Sequence, residues 1–122
     1  MKIAITSHGE DKKSAVDSRF GRADYFIVFD QEKNTWESVS NLQNVEAAHG
    51  AGIQAGQTMA KTGARSLITG HVGPKAFKVL AAEQIAMYSI GDNSYNVEEA
   101  LAAFLAGKLT AIDEPGAMGQ GK

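Results

Sequence analysis

The 122-residue chain contains no cysteine, and this absence excludes the commonest metal chemistry of small proteins. Without thiolates the chain can have neither a disulfide nor a cysteine-held zinc or iron–sulfur site. Any protein ligand to a metal must come from histidine, carboxylate, methionine or backbone groups. Long hydrophobic runs are also missing: residues 1–7 are not the apolar stretch of a signal peptide, and no segment approaches a membrane span in length. We therefore expect a cytoplasmic protein without a membrane partner.

Net charge is also small. Twelve basic and 14 acidic residues give −2 at neutral pH, which is not the basic footprint of a nucleic-acid-binding protein, so we expect no nucleic-acid partner. The length suits one domain, and a hydrophobic content of 43% is enough for one core. The last ten residues hold three glycines and one proline. We predict a single domain over residues 1–110 and a flexible tail over 111–122.

Apolar and β-branched runs predict five strands, at residues 2–7, 24–30, 35–40, 65–69 and 85–90. Helical composition and end signals predict three helices, at residues 47–62, 74–83 and 97–106. The order βββαβαβα combines a hairpin with two strand–helix units, which need right-handed crossovers between parallel strands. The prediction is an α/β domain with a five-stranded mixed sheet, helices on both faces, and the second strand antiparallel to its neighbours.

The strand ends lead into four polar loops, at residues 8–23, 41–50, 70–73 and 91–95. Ligands in open α/β sheets bind outside the carboxyl ends of the strands, where such loops meet. All three histidines fall in these loops, together with several basic residues and glycines: His8, His49, His71, Lys12, Lys13, Arg19, Arg22, Gly9, Gly21, Gly50, Gly70, Gly73 and Gly91. Lys75 follows just inside a helix. Carboxylates also occur there, so the positive field is partial.

This set of residues suits an anion. Helix N-termini offer unpaired N–H groups, glycine lets the backbone approach a ligand, and Arg, Lys and protonated His add charged donors. Each residue also has an ordinary structural explanation: Arg19 and Arg22 can pair with Asp17 and Asp24, and Gly70 and Gly73 can serve only a tight turn. Neither a dinucleotide-binding nor a P-loop glycine spacing is present. No acid–base constellation supports an enzyme.

Several segments together resemble the dinitrogenase iron–molybdenum cofactor-binding family. They are MKIAITS (residues 1–7), RFGRA (19–23), ITGHVGPKAF (68–77), and NVEEAL (96–101) with GKL (107–109). The resemblance covers residues 1 to about 110. It implies a three-layer ribonuclease H-like fold, and residues 3–6 of the first strand supply none of the carboxylates that a nuclease needs. Many family members have histidine where this chain has Arg19.

The resemblance implies a non-catalytic carrier of a molybdenum- or iron-containing sulfide cluster. The lack of cysteine makes the chain most similar to the orange-protein branch, whose members hold a molybdenum–copper sulfide cluster without covalent attachment. Such a cluster is a polyanion, which a basic, glycine-lined pocket can bind. The alternatives are a carrier of the iron–molybdenum cofactor or its precursors, and an interaction or regulatory module that binds no cluster. An unidentified protein would deliver or receive the cluster.

The predicted binding residues are Ser7, His8, Arg19, Phe20, Gly21, Arg22, His49, Gly50, Gly70, His71, Val72, Gly73, Lys75 and Gly91. Five of them follow strand ends that share one direction, so we expect these five along one edge of the sheet: His8, Arg19, His49, His71 and Lys75. Because Arg19 replaces a histidine, we expect charge and hydrogen bonds, rather than a direct protein–metal bond, to hold the cluster. Direct ligation by His49 or His71 is the alternative.

Overall fold

The structure, a computed structural model, describes residues 1–45 and 50–114. One sheet in the described part of the chain has the order β3-β2-β1-β4-β5-β6. Its strands are β1 (Lys2–Ser7), β2 (Tyr25–Asp30), β3 (Thr35–Ser40), β4 (Ser66–Thr69), β5 (Ala86–Ser89) and β6 (Thr110–Ala111). The helices are α1 (Leu42–Val45), α2 (Ala51–Lys61), α3 (Pro74–Ala82) and α4 (Val97–Leu105), with a 3-10 turn at Phe20–Arg22.

The predicted pairing of the strands is confirmed. β2 is antiparallel to both β1 and β3, whereas β1, β4 and β5 are parallel to one another. The number of strands was wrong, because β6 adds a sixth by pairing antiparallel to β5. β6 is only two residues long, and Thr110 and Ala111 lack the apolar alternation that predicts a strand.

The contacts of β6 also change where the predicted tail at 111–122 begins. Ala111 pairs with Tyr88, and Ile112 is buried in the core, where its N–H donates to the Met87 carbonyl at 2.8 Å. The packed domain therefore extends to at least Ile112. Residues 115–122 lie outside the described residues, so flexibility of the remaining tail stays a prediction.

Helices cover both faces of the sheet, as predicted. On one face, α2 and α3 pack Met59 and Leu80 against β1, β2 and β4. On the other, α4 packs Val97 and Leu101 against the opposite side chains of the same strands. The alternation of side chains along β1 and β2 explains this division, because successive residues point to opposite faces. No helix among the described residues is long and apolar enough to cross a membrane.

Helix α2 is shorter than the helix predicted at residues 47–62. It begins at Ala51, because Gly50 adopts a left-handed φ of 78° that cannot continue a right-handed helix. Residues 46–49 lie outside the described residues, and the short helix α1 before them was missed. All other predicted ends agree within one residue. A capping box begins α4, where Asn96 and Glu99 form both reciprocal hydrogen bonds.

Candidate anion site at the sheet edge

The carboxyl ends of β1, β3, β4 and β5 meet at one edge of the sheet. His8 directly follows β1, Gly70 and His71 follow β4, and Gly91 lies two residues beyond β5. The fold therefore brings these three loops to a common edge, for the reason that the sequence predicted. His49 lies outside the described residues, and its place at this edge stays a prediction.

The long loop after β1 folds back over this edge and joins the loop after β4. Arg19 pairs in parallel with His71: the Phe20 N–H donates to the His71 carbonyl at 3.2 Å, and the His71 N–H donates to the Ser18 carbonyl at 2.6 Å. Gly70 makes this contact sterically feasible. A β-carbon built there would lie 2.5 Å from Ser18 Cβ and 2.6 Å from its carbonyl oxygen. Gly70 is thus needed for backbone contact between two loops.

The carboxylate of Asp17 contacts two basic side chains of this loop, Arg19 and His8. Its carboxylate is only 2% exposed and accepts two bonds from the Arg19 guanidinium, both at 3.1 Å, as well as the Arg19 backbone N–H at 2.9 Å. His8 Nδ1 lies 3.4 Å from the same carboxylate. Hydrogen bonding to Asp17, with its negative charge, raises the pKa of Arg19. Much of the positive charge predicted here is therefore neutralised within the protein.

We expect Asp17→Asn to lower the free energy of unfolding by about 1–2 kcal/mol. Asparagine keeps one acceptor for the Arg19 backbone but loses the charge that binds the guanidinium, and bonds to charged groups are worth about 1.5–3 kcal/mol. Urea denaturation provides the measurement. Asp24→Asn is the matched control, because the charge of Asp24 also raises the pKa of Arg19 whereas the side-chain ion pair of Arg19 is with Asp17. Equal unfolding midpoints for both variants would show that the Asp17 pair adds nothing.

A glycine-lined cavity of about 360 Å³ lies beside this cluster, at the N-termini of α2 and α3. Its lining consists of Gly21, Gly52, Gly73, Pro74, Lys75 and Ala76. Neither N-cap residue in the described part of the chain supplies a side-chain cap: Gly50 precedes α2 and Gly73 precedes α3, and glycine has no side chain that could accept a hydrogen bond. Two positive dipole ends therefore lie at one cavity, with N–H donors from both helices, although Pro74 at the first position of α3 contributes none.

Small residues bring the two N-termini together. A β-carbon at Gly21 would lie 3.2 Å from Gly52 Cα, and one at Gly52 would lie 3.2 Å from Ala76 Cβ. One turn further, a β-carbon at Gly56 would meet Val79 at 2.8 Å. Gly52 and Ala76 were not among the predicted binding residues. The spacing of Gly52 and Gly56, one helical turn apart, is the signal that indicates close helix packing.

Several other predicted binding residues do not line the glycine-lined cavity. Phe20 and Val72 are buried in the core, where Phe20 stacks on Phe26 with ring centroids 5.5 Å apart. Ser7 is buried and bonds within its own turn to Gly9. Arg22 donates to the Val45 carbonyl. These three side chains and Arg22 thus have structural roles that the pattern of loops did not reveal.

Gly91, in turn, lines a separate cavity of about 540 Å³ between residues 13–18 and 90–99. Of the predicted residues that the structure describes, Gly21, Gly73 and Lys75 line the glycine-lined cavity and Gly91 lines this second one. No group of three or more metal-ligating side chains occurs among residues 1–45 and 50–114. The donors at the glycine-lined cavity are backbone N–H groups and Lys75, and such donors suit an anion rather than a bare metal ion.

Comparison with known proteins places the chain among relatives of the same size. Residues 1–107 match the family described as dinitrogenase iron-molybdenum cofactor. The apo form of the orange protein from Desulfovibrio gigas is 40% identical, over 94% of this chain and 95% of that one, with a TM-score of 0.88. A putative NifB protein from Thermotoga, described as a DUF35 member, is 37% identical over 90% and 91%, with a TM-score of 0.80. No curated protein matches the chain.

Proposed function

Since the chain belongs to the dinitrogenase iron–molybdenum cofactor family, as its motifs predicted, we propose that it is a non-catalytic carrier of an anionic metal-sulfide cluster. The cargo we propose is a molybdenum–copper sulfide cluster, held without covalent bonds in the glycine-lined cavity. The iron–molybdenum cofactor or a precursor is the alternative cargo. Elemental analysis of protein purified from its own host distinguishes the two, because only the first contains copper.

One observation supports this proposal above the others: two helices without side-chain caps begin at the same cavity. Helix N-termini bind anions through free N–H groups and the positive end of the dipole. Natural helices usually fill these donors with Ser, Thr, Asp or Asn at the N-cap. In α4 of the same chain, Asn96 does so. In the described part of the chain, no N-cap side chain fills the donors of α2 and α3, so these N–H groups suit a ligand that brings its own acceptors.

The donor set fits a sulfide cluster. Such a cluster presents sulfur atoms that accept hydrogen bonds, and it carries its own metal–sulfur bonds, so it needs no thiolate from the protein. The chain has no cysteine to offer. Lys75 adds a positive charge at the lining of the cavity. The residues present would therefore hold the cluster by charge and hydrogen bonding, and direct ligation by His49 or His71 is the alternative that the experiment below tests.

The lack of carboxylates on the central strands β1 and β4 supports a carrier rather than a nuclease. The strand order around β1, with β2 antiparallel, is consistent with the ribonuclease H-like fold that we propose for the domain. Nucleases of that architecture need carboxylates on these strands to hold two metal ions. β1 reads KIAITS and β4 reads SLIT, so neither provides one.

Titration with tetrathiomolybdate, a stable molybdenum–sulfide anion, tests the proposal. We expect binding that weakens with added salt, since the screening length falls from about 10 Å at 0.1 M to about 3 Å at 1 M. Lys75→Ala should weaken it about three- to tenfold, because the side chain is exposed and the interaction is partly screened. Lys33→Ala, in the distant β2–β3 turn, is the control. A tetrathiomolybdate affinity that is the same at low and high salt, and the same in Lys75→Ala, would instead favour a histidine–metal bond.

A further inference from the structure

The outer surface of the α2–α3 layer has an unusual charge distribution. The two helices read AGIQAGQTMAK and PKAFKVLAA, which contain three lysines (Lys61, Lys75 and Lys78) and no carboxylate. α4, on the opposite face of the sheet, reads VEEALAAFL and has two glutamates and no basic residue. The domain is therefore polarised, with a basic helical layer on the face that includes the glycine-lined cavity.

The lysines of this layer are also available for a partner. Lys12 and Lys13 are paired with Glu98, at 3.6 and 2.8 Å, and these contacts lower the pKa of that carboxylate. By contrast, the ion pairs within 4.0 Å among the described residues do not include Lys61, Lys75 or Lys78. These exposed charges contribute no internal ion pair in the described part of the chain.

Two cavities lie along this basic layer. The glycine-lined cavity is at one end of the α2–α3 pair, and a second cavity of about 500 Å³ lies toward the other end, lined by Gln57, Ala60, Lys61 and Glu83. We call the exposed surface of α2 and α3 between them the α2–α3 groove; α2 has 11 residues, so this surface spans about 16 Å, which suits three turns of a partner helix. Glu83 is the single carboxylate among the residues that line the two cavities, which include Lys61 and Lys75, and Lys78 is exposed on α3.

We propose that the α2–α3 groove is the docking surface for an acidic helical segment of the protein that exchanges the cluster with this carrier. The exchange role rests on the proposed function, whereas the docking itself does not. The argument is charge complementarity along the groove, together with its continuity with the cargo cavity through Lys75 and Ala76. A helix bound here would lie over the cavity mouth, so the cargo would pass between the two proteins without crossing open solvent.

A fluorescent amphipathic peptide with glutamates along one face is the probe, and anisotropy measures its binding to the full chain without cargo. We expect Lys61→Glu with Lys78→Glu to weaken binding at least tenfold. The matched control is Lys33→Glu with Lys108→Glu, which makes the same charge change in the β2–β3 turn and after α4, and should weaken binding less than twofold. Equal losses in both double variants would overturn the proposal, because they would reflect net charge alone.

Two further measurements complete the test. Duplex DNA and phosphatidylserine vesicles are titrated as competing polyanions, and tighter binding of either through Lys61 and Lys78 would overturn docking of an acidic protein. Tetrathiomolybdate affinity should fall less in Lys61→Glu with Lys78→Glu than in Lys75→Glu, since only Lys75 lines the glycine-lined cavity. If the peptide docks but tetrathiomolybdate does not bind the wild type, the carrier function fails and the docking surface stands. If tetrathiomolybdate binds and the peptide does not, the docking surface fails alone.

Discussion

Gly73→Asp is expected to weaken tetrathiomolybdate binding at least tenfold while leaving the fold as stable as before or slightly more so. Gly73 is the N-cap of α3, has an ordinary extended conformation (φ −70°, ψ 169°), and has open space where a β-carbon would be. Aspartate at this position would accept the free N–H groups of the helix itself. It would also place a negative charge at the cavity. The substitution therefore supplies internally the acceptor that the ligand is proposed to bring.

The opposite signs of the two effects make this prediction specific. A good N-cap in place of glycine stabilises a helix by about a few tenths of a kcal/mol. Loss of one charge-assisted contact, at about 1.5–3 kcal/mol, corresponds to roughly tenfold or more in affinity. Gly73→Asn provides the matched control, because it caps the helix without charge and should cost less affinity. Undiminished binding by Gly73→Asp would place the anion somewhere other than the N-terminus of α3.

Gly70→Ala is expected to destabilise the domain by about 3 kcal/mol, the upper end of the range for overpacked sites. The new β-carbon would overlap Ser18 at three atoms, two of them backbone, at 2.5 to 2.9 Å. Backbone cannot rotate away as a side chain can, so the loop after β1 must move from the loop after β4. That movement would lengthen the hydrogen bond from the His71 N–H to the Ser18 carbonyl.

Urea denaturation of Gly70→Ala and Gly73→Ala side by side measures this effect. The two glycines are three residues apart in the same turn, but nothing lies within 4 Å of a β-carbon at Gly73. We expect the Gly73 variant to stay within about 0.5 kcal/mol of the wild type, as surface substitutions do. Similar midpoints for both variants would contradict the close approach of Ser18 to Gly70.

The sequence was most informative where local signals agreed. The aromatic and β-branched run of β2, Pro74 at the start of α3, and the Asn96–Glu99 pair each act over a few residues, and each element lies where predicted. β6 and α1 were missed, because they are short and depend on tertiary contacts. Residues 110–111 form a strand only because β5 offers a free edge.

The sequence predicted which edge of the sheet holds the candidate site, but not how the side chains there are arranged. Topology places His8, His71 and Gly91 at the same edge, and topology follows from the order of elements. The direction in which each side chain points does not follow from the order of elements. Arg19 turns to Asp17 rather than standing free, and Phe20 enters the core, because these outcomes depend on packing between segments that are distant in the sequence.

The position of β1 inside the sheet sets the order in which strands can assemble during synthesis on the ribosome. β1, β2 and β3 form an antiparallel meander from the first 40 residues of the chain, so its contacts are local and can form early. The other side of β1 stays unpaired until β4, Ser66–Thr69, has emerged. A nascent chain arrested before Ser66 would therefore present β1 as an open edge, prone to pair with another chain, whereas one arrested well after Thr69 would not.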